Sequence, residues 1–400
     1  MDIMFSSYAD VYKNLGDREI VLFGAGNITK KTKLRLDRPL SMIVDNNANL
    51  WEEHELGVTI KKPEVINGKS DQYYVLICTT SFMEVSEQLM EYGFDPLKDF
   101  IVSPVLNDLR IISDIESLKT KLLFSSGLPG MDDPEAGGGI YELELDGDWK
   151  YRKVLEGPSH GLIHFEGDII ASHSELGLVQ MSKDYKVIRN AEVPTGSRPH
   201  GVAYSEHTQC FYVASTYLDA ILVFDRDFKQ VDQINVSHKH AQTGEPQHHI
   251  NDVCAYGESL YVSMFSMTGN WKKDVFDGVV LEIDLDTKQV LNPVVQNLWM
   301  PHNICAINGS LAVLDSLRGE LKTHNAQPIG KFPGFSRGLA YDGVFHYIGQ
   351  SRNRNYSKYL GLSMNISIDT SIIVFDATTK VSRSLSLPSK LSEIHSIIVL

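Results

Sequence analysis

Short runs of alternating apolar and polar residues recur from about residue 120 onwards. One unit has a short apolar run after Gly201 and further runs at 211–214, 220–225 and 233–236, and the same order returns after Ile250 and Arg337. Alternation with a period of two residues is typical of half-buried strands. Four short strands per unit, repeated at roughly 30 to 55 residues, predict the blades of a β-propeller.

The strand pattern also predicts six blades and the way in which the ring closes. Segment 395–400 is a single strand, whereas 122–126 opens a unit that lacks its first strand. Pairing of the C-terminal strand with the first blade would complete that blade and hide two sheet edges that otherwise invite aggregation. The predicted blades are 122–155 with 395–400, about 160–188, 200–236, 250–295, 302–332 and 337–388.

The first hundred residues have a different pattern. Continuous apolar runs at 19–23, 73–78 and 100–103 alternate with helical segments at 28–36 and 82–92. Uninterrupted apolar strands between helices are typical of a parallel sheet that is covered on both faces. The sequence therefore predicts an α/β, Rossmann-like domain over 1–108, a helical linker over 109–121 and an all-β six-bladed β-propeller over 122–400.

A glycine turn follows the first strand of the N-terminal domain. Gly24 and Gly26 would let the backbone approach a pyrophosphate at a helix N-terminus, and Asp45 at the end of the second strand would hold a ribose. These three residues are the predicted cofactor site, for a nucleotide or nucleotide-sugar. Thr29 replaces the third glycine of the usual G-x-G-x-x-G turn. The alternative is therefore a scaffolding domain that docks a pathway enzyme.

Charge and hydropathy exclude some partners. The formal net charge of −14 argues against nucleic acid and anionic membranes, because phosphate groups are bound by basic surfaces. No apolar run approaches the roughly 20 residues of a membrane helix, and the first residues do not form a signal peptide. We therefore expect a cytoplasmic protein whose four cysteines are reduced thiols.

Each predicted blade begins with a small polar cluster around His, Asn or Arg. Equivalent positions in a radially repeated fold point at one axis. These residues are His160, His200, Asn251, His302, Arg337 and His395, with His249 two residues before Asn251 and on the same face of its strand. The repeat therefore predicts a histidine cluster on the propeller axis.

The residue types in this cluster are those of a metal or proton-transfer site. Imidazoles that converge on an open coordination position bind Zn²⁺, Fe²⁺ or Mn²⁺. The candidate metal ligands are His160, His200, His249, His302 and His395. The candidate catalytic residues are His160, His200, His302, Arg337 and His395, in which the imidazoles transfer protons and the guanidinium binds a carboxylate or phosphate. The alternative for any one histidine is that it only hydrates a polar channel or bonds a neighbouring blade.

Two resemblances to known families add to this interpretation. The segments 23–26, 43–47, 63–64 and 77–80 resemble the small Rossmann-like domain of bacterial sugar methyltransferases and nucleotide-sugar acetyltransferases. This resemblance covers about 18–108 and implies a role in glycan or specialised-metabolite biosynthesis. The propeller resembles uncharacterised six-bladed propeller proteins and, more loosely, the virginiamycin B lyase and gluconolactonase-like propellers, which implies a metal at the axis. Only the blade pattern and the axial histidines match, and the acidic metal ligands do not.

Three functions follow from these observations. The first is an enzyme that acts as a lyase, hydrolase or isomerase on a small anionic or sugar-like substrate at the propeller axis. The second is a binding or scaffold protein in which the N-terminal domain docks a partner. The third is a nucleotide-dependent oxidoreductase. The fold alone does not separate these classes, because propellers serve several of them.

Overall fold

The computed structural model describes residues 7–129, 137–323, 327–352, 369–388 and 390–400 of the 400-residue chain. Contacts divide the chain into two compact units, Met1–Asp114 and Ile115–Leu400. No helix in these described ranges is long and apolar enough to cross a membrane.

The N-terminal unit is a six-stranded sheet accompanied by helices. Its strands are β1 (Glu19–Phe23), β2 (Leu40–Val44), β3 (His54–Glu55), β4 (Val58–Lys61), β5 (Tyr73–Ile77) and β6 (Phe100–Val102). Its helices are α1 (Tyr8–Leu15), α2 (Asn27–Leu34), α3 (Phe82–Glu91) and α4 (Pro104–Glu116), the last of which runs through the boundary between the units. The strand order is β3-β4-β2-β1-β5-β6.

This sheet is mixed, whereas the sequence predicts a parallel one. The pairs β1–β2, β1–β5, β2–β4 and β5–β6 are parallel, but β3 and β4 form an antiparallel hairpin. Leu56 and Gly57 form its two-residue turn, both with positive φ (53° and 81°), as hairpins of this length prefer. Strands as short as β3 have too few residues to show a period, so the hairpin escapes the sequence pattern.

The apolar strands of this unit are buried on both faces of the sheet. Val21 and Phe23 of β1 belong to one apolar cluster, and Ile20 and Leu22 belong to the other. Alternate side chains of a strand point to opposite faces, so the continuous apolar run of β1 serves two cores. The expectation of a sheet with two covered faces is confirmed for these strands.

The second unit consists of six antiparallel sheets of four strands each. The strands of the blades that begin at 159, 199 and 250 are β10 (Ser159–Phe165), β11 (Asp168–His173), β12 (Gly177–Met181), β13 (Val187–Ala191), β14 (Pro199–Ser205), β15 (Cys210–Ser215), β16 (Ala220–Phe224), β17 (Gln230–Asn235), β18 (Ile250–Tyr256), β19 (Ser259–Met264), β20 (Gly278–Asp284) and β21 (Val290–Leu298). A short helix, α5 (Lys239–Thr243), lies between β17 and β18.

The other three blades complete the propeller. Their strands are β22 (His302–Ile307), β23 (Ser310–Asp315), β24 (Glu320–Thr323), β25 (Pro328–Lys331), β26 (Phe335–Tyr341), β27 (His346–Ser351), β28 (Ser371–Phe375), β29 (Ser382–Ser386), β30 (Ser396–Val399), β7 (Lys119–Pro129), β8 (Gly137–Asp146) and β9 (Asp148–Glu156). The predicted six-bladed propeller is confirmed.

One blade is built from two distant parts of the chain. Its strand order is β30-β7-β8-β9, and β30 pairs antiparallel with β7 from Ser396 opposite Ser125 to Val399 opposite Leu122. The strands β10, β14, β18, β22, β26 and β30 are the first in their sheets and contact one another in sequence around the ring. These six are called the inner strands below.

Serine hydroxyls join neighbouring blades next to the axis. The Ser172 hydroxyl accepts a hydrogen bond from the Gly161 N–H of its own blade (2.7 Å) and donates to the His200 carbonyl of the next blade. The Ser125 hydroxyl likewise accepts from Ser396 N–H and donates to the His160 carbonyl. Because these bonds hold the backbone of His160 and His200, the starts of these two inner strands are fixed by neighbouring blades.

Candidate functional site

A β-bulge lies at the start of five inner strands. The register between each of these strands and its neighbour shifts between Ser159 and Leu162, Pro199 and Val202, Ile250 and Asp252, His302 and Ile304, and Ser336 and Leu339. A bulge bends the strand and redirects its side chains. The bulges coincide with the axial positions, so they turn these residues toward the channel.

The residues just before the bulges have unusual backbone conformations. Arg198, His249 and Met300 each lie two residues before an axial position, and their φ angles are 51°, 54° and 53°. A non-glycine residue in this region costs on the order of 1–3 kcal/mol, and such strain gathers at functional sites. Because the same strained backbone conformation occurs in three blades, it is a property of the repeated fold at the point where the chain enters an inner strand.

Three of the predicted histidines come together on the axis. Ring nitrogens of His160, His200 and His395, one from each residue, all lie within 4.8 Å of one another. The ring centroids of His160 and His200 are 4.1 Å apart in a stacked arrangement, and those of His160 and His395 are 4.4 Å apart, edge to face. The His200 Nδ1 lies 3.2 Å from the Arg198 carbonyl. This contact suits an Nδ1–H donor and leaves Nε2 with a lone pair.

Gly127 leaves space beside this group. A Cβ at residue 127 would lie 2.3 Å from His395 Nε2 and 2.8 Å from His160 Nε2. Any other residue would therefore press its side chain into the two imidazoles. The glycine keeps open a point that two ring nitrogens face.

A chain of polar contacts runs from His395 to His302. The His395 Nε2 lies 3.1 Å from Glu393 Oε2, and the other oxygen of that carboxylate lies 2.8 Å from an Arg337 nitrogen. Arg337 Nε–H donates to His302 Nε2 (3.1 Å), while His302 Nδ1 lies 2.9 Å from the Met300 carbonyl. Both His302 nitrogens are therefore engaged within the protein, and this histidine lies outside the three-nitrogen group.

His249 is also outside that group. Its ring stacks on Phe265 with centroids 4.1 Å apart, lies 4.7 Å from Trp271, and is 6.3 Å from the His200 ring. The His249 ring thus forms part of an aromatic wall beside the three-histidine group. The structure thus gathers His160, His200 and His395 of the five candidate metal ligands, and places His249 and His302 beside them.

Burial and neighbouring charge keep these imidazoles neutral. Burial, followed by nearby imidazoles and arginines, lowers the pKa of His160, His200 and His302 well below its usual value. Burial, followed by the charges of Arg198, Arg337 and Lys272, lowers the pKa of His249 to about 3. Burial also lowers the His395 pKa, although the Glu393 carboxylate opposes the shift. The cluster at neutral pH is therefore a set of free bases, as metal binding and proton acceptance require.

An acid lies directly behind the histidines. Asp252 follows the axial residue Asn251, and its Oδ2 accepts the Ile304 N–H of the next blade (3.0 Å). Burial raises the pKa of Asp252 to about 7. The burial that changes its acidity is a property of the folded ring.

Two charged residues of the site escape the sequence pattern. Arg198 and Glu393 lie two residues before His200 and His395, the same offset that His249 has before Asn251. The offset of two residues before an axial position is therefore visible in the sequence. Because the residues at this offset share no chemistry, the pattern of hydrophobic and polar positions does not single them out.

The glycine turn of the N-terminal unit has partners of its own. The Asp45 Oδ2 accepts the Ala25 N–H (2.8 Å), and its Oδ1 accepts the Asn47 N–H (2.7 Å). Gly24 has φ 110°, and a Cβ there would lie 2.9 Å from the Cys78 carbonyl. Gly26 precedes α2 with open space around it. The predicted cofactor residues thus lie together, with Asp45 bonded to the turn itself.

A protein-family model matches the propeller part of the chain. The model of the family described as a domain of unknown function (DUF4915) matches residues 161–400. The chain belongs to this family. The match does not include the N-terminal unit, so the resemblance of 18–108 to sugar methyltransferase domains has no support from it. No curated protein sequence matches this DUF4915 chain.

Several solved structures are similar to this chain at low sequence identity. A nidogen/laminin complex structure is 14% identical, with a TM-score of 0.49 over 70% of this chain and 98% of that chain. A streptogramin B lyase is 14% identical, with a TM-score of 0.43 over 70% and 91%. A virginiamycin B lyase from Staphylococcus aureus with quinupristin is 14% identical, with a TM-score of 0.38 over 53% and 73%. Likenesses this remote bring no activity to the DUF4915 chain.

Proposed function

We propose that this protein is an enzyme that transfers protons on a small anionic or sugar-like substrate at the propeller axis, as a lyase, hydrolase or isomerase. The observation that carries this proposal is the convergence of three neutral imidazoles within 4.8 Å next to the Arg337–Glu393 pair. A purely hydrated channel needs neither uncharged bases nor a buried ion pair, and both cost folding free energy.

Each group has a role that follows from its contacts. His395 is the base, and Glu393 orients its ring and stabilises the imidazolium that forms, as a carboxylate does beside a catalytic histidine. Arg337 shares that carboxylate and presents its positive charge to the site. Arg198 adds a second positive charge, which lowers the pKa of His160 and His200. This arrangement favours a substrate that carries a carboxylate or phosphate.

A divalent metal fits the three-histidine group. His160, His200 and His395 would hold it through neutral imidazole nitrogens, and His395 would then be a metal ligand instead of the base. The donor set suits this role because His200 Nδ1 is engaged by a backbone carbonyl, as in many metal-bound histidines, and because Gly127 leaves space between two of the nitrogens. When bound, Zn²⁺, Fe²⁺ or Mn²⁺ would polarise a substrate carbonyl. His302 would remain a partner of Arg337.

Elemental analysis tests the metal. The untagged protein is compared with His200→Ala and with His207→Ala, which removes an exposed histidine that pairs with Asp286. We expect near-stoichiometric metal in the parent and in His207→Ala, and its loss in His200→Ala with an unchanged circular dichroism spectrum. Equal metal in all three proteins, or none after anaerobic reloading, would remove the metal from the proposal.

A substrate screen tests the enzyme itself. Small carboxylates, phosphates and sugar acids are incubated with the parent and with His395→Gln, and products are followed by NMR. Turnover that falls at least about 100-fold in the variant, as expected for loss of a general base, supports the proposal. A variant as active as the parent on the same substrate would contradict the role of His395.

The N-terminal unit supports a second proposal. Because the Asp45 carboxylate already accepts the Ala25 N–H of the glycine turn, we propose that the unit docks a pathway enzyme, and nucleotide or nucleotide-sugar binding is the alternative. A setting in glycan or specialised-metabolite biosynthesis agrees with either. Isothermal titration with nucleotides and nucleotide-sugars distinguishes the two, since docking predicts no heat of binding.

A further inference from the structure

A second cavity lies on the axis beyond the histidine cluster. Its volume is about 520 Å³, and its wall includes Leu162, Val202, Ile304 and Leu339 from the later halves of the inner strands. Each inner strand is the edge strand of its sheet, so one side of its backbone has no ladder partner. The wall therefore combines apolar side chains with backbone groups that can bind water.

The two spaces on the axis share part of their walls. Gly161, Asp252 and Asn303 line the large cavity and also the small space of about 10 Å³ among the histidines. A space of this size holds about one water molecule. The space among the histidines therefore has room for a water molecule and not for a substrate.

The inner end of the large cavity is held rigidly. Asp252 accepts the Ile304 N–H, and the Asn303 Oδ1 accepts the Gly338 N–H (2.6 Å). Each side chain thus bonds the inner strand of the next blade. These two side chains therefore hold in place the wall that the two spaces share.

A buried nitrogen faces this region without a protein partner. Among the described residues, no hydrogen-bond partner exists for His160 Nδ1, which is shielded from bulk solvent. Buried polar atoms of this kind are usually satisfied by an internal water. The cluster therefore needs water next to His160.

The two ends of the axis differ in charge. Glu206 and Asp252 line the large cavity, and none of its lining residues is Lys or Arg. Arg198 and Glu393 come before the axial positions, whereas the cavity residues come after them. The Glu206 carboxylate, with no basic residue beside it in the lining, disfavours entry of an anionic substrate through the cavity.

We propose that the large cavity is a water inlet to the histidine cluster, separate from the route of the anionic substrate, with Asp252 and Asn303 at its inner end. Its use as a source of water or an exit for protons rests on the proposed function. Its existence does not, because water exchange can be measured without substrate or metal.

Radiolytic footprinting after rapid mixing into oxygen-18 water tests the inlet. Hydroxyl radicals formed from internal water label the side chains that contact it, and the growth of the heavy label gives the rate at which this water exchanges with bulk. The variants are Ala255→Phe and Ala340→Phe, because both alanines line the cavity and are partly exposed. The control is Ala241→Phe, on the exposed face of α5.

We expect several-fold slower incorporation at His160 and His200 in both cavity variants and an unchanged rate in Ala241→Phe. If the added rings lie in the cavity and the incorporation of oxygen-18 at His160 and His200 is still unchanged, the proposed inlet is wrong. If one variant misfolds, the other still decides. A normal inlet in a protein without turnover would sink the proposed enzyme and leave the inlet standing.

Discussion

The two candidate sites of this chain differ in whether their polar groups already have partners. In the N-terminal unit, the Asp45 carboxylate accepts two backbone N–H groups of its own loop region. On the propeller axis, His160 Nδ1 and His249 Nδ1 are buried, and no described residue bonds them. A buried polar atom without a partner reduces folding stability. A ligand or water that bonded these two nitrogens would therefore stabilise the propeller. The Asp45 carboxylate, by contrast, has both oxygens bonded.

Removing one carboxylate from each site should give the largest difference. Glu393→Ala leaves the Arg337 guanidinium buried without its partner, which should reduce the free energy of unfolding by about 3–5 kcal/mol. Asp45→Ala removes two backbone hydrogen bonds in a partly exposed loop and should cost about 1–2 kcal/mol. Urea unfolding combined with hydrogen exchange gives the value for each unit. Equal losses of unfolding free energy in the two variants would show that the axial Arg337–Glu393 pair matters no more for stability than the Asp45 hydrogen bonds.

Adding one methyl group to each site gives a smaller and more specific effect. Gly127→Ala places a Cβ 2.3 Å from His395 Nε2, so we expect a loss of about 1–3 kcal/mol together with loss of ligand or metal binding. Gly26→Ala meets nothing within 4 Å and should cost less than about 1 kcal/mol. Thermal unfolding and elemental analysis measure both effects. Retained binding in Gly127→Ala would contradict the position of the site.

A third expected effect is in the pH dependence of stability. Because burial raises the Asp252 pKa from 3.8 to about 7, the unfolded chain loses this proton first, and stability falls as pH rises from about 4 to about 7. The lowered histidine pKa values act in the opposite sense and reduce stability as pH falls below 6.5.

The variant Asp252→Asn separates the two contributions. Its amide oxygen can still accept the Ile304 N–H, as Asn303 does for Gly338 in the next blade. Relative to the parent, the variant should gain stability between pH 4 and pH 7 in urea unfolding. A constant difference between the two proteins across this range would mean that Asp252 titrates normally.

The sequence predicted the architecture better than the site. Strand alternation predicted six blades, because every blade repeats one pattern. The axial residues could be aligned for the same reason, and three of the histidines do converge. The bulges and the positive φ angles at Arg198 and Met300 leave no mark in hydrophobic periodicity. These backbone conformations set the directions of the axial side chains. As a result, His302 bonds Arg337 and His249 stacks on Phe265, and neither joins the three-histidine group.

The acidity of Asp252 was equally out of reach from the sequence. It arises from burial among residues that are distant in the chain, such as Ile304 of the next blade. Glu393 shows the same limit, since it matters through Arg337, which lies on a different inner strand. Local patterns describe one strand at a time, whereas the electrostatics of the axis depend on all six.

The bond from Ser396 N–H to the Ser125 hydroxyl spans 271 residues, and it has a kinetic consequence. Contacts between distant residues form late and slowly, because the intervening chain must first be ordered. His395 and Glu393 lie directly before this seam, so they reach the axis only when the ring shuts. A molecule in which this blade has opened would keep most of its blades and lose His395, the proposed base, from the axis, so under that proposal activity would depend on completed folding.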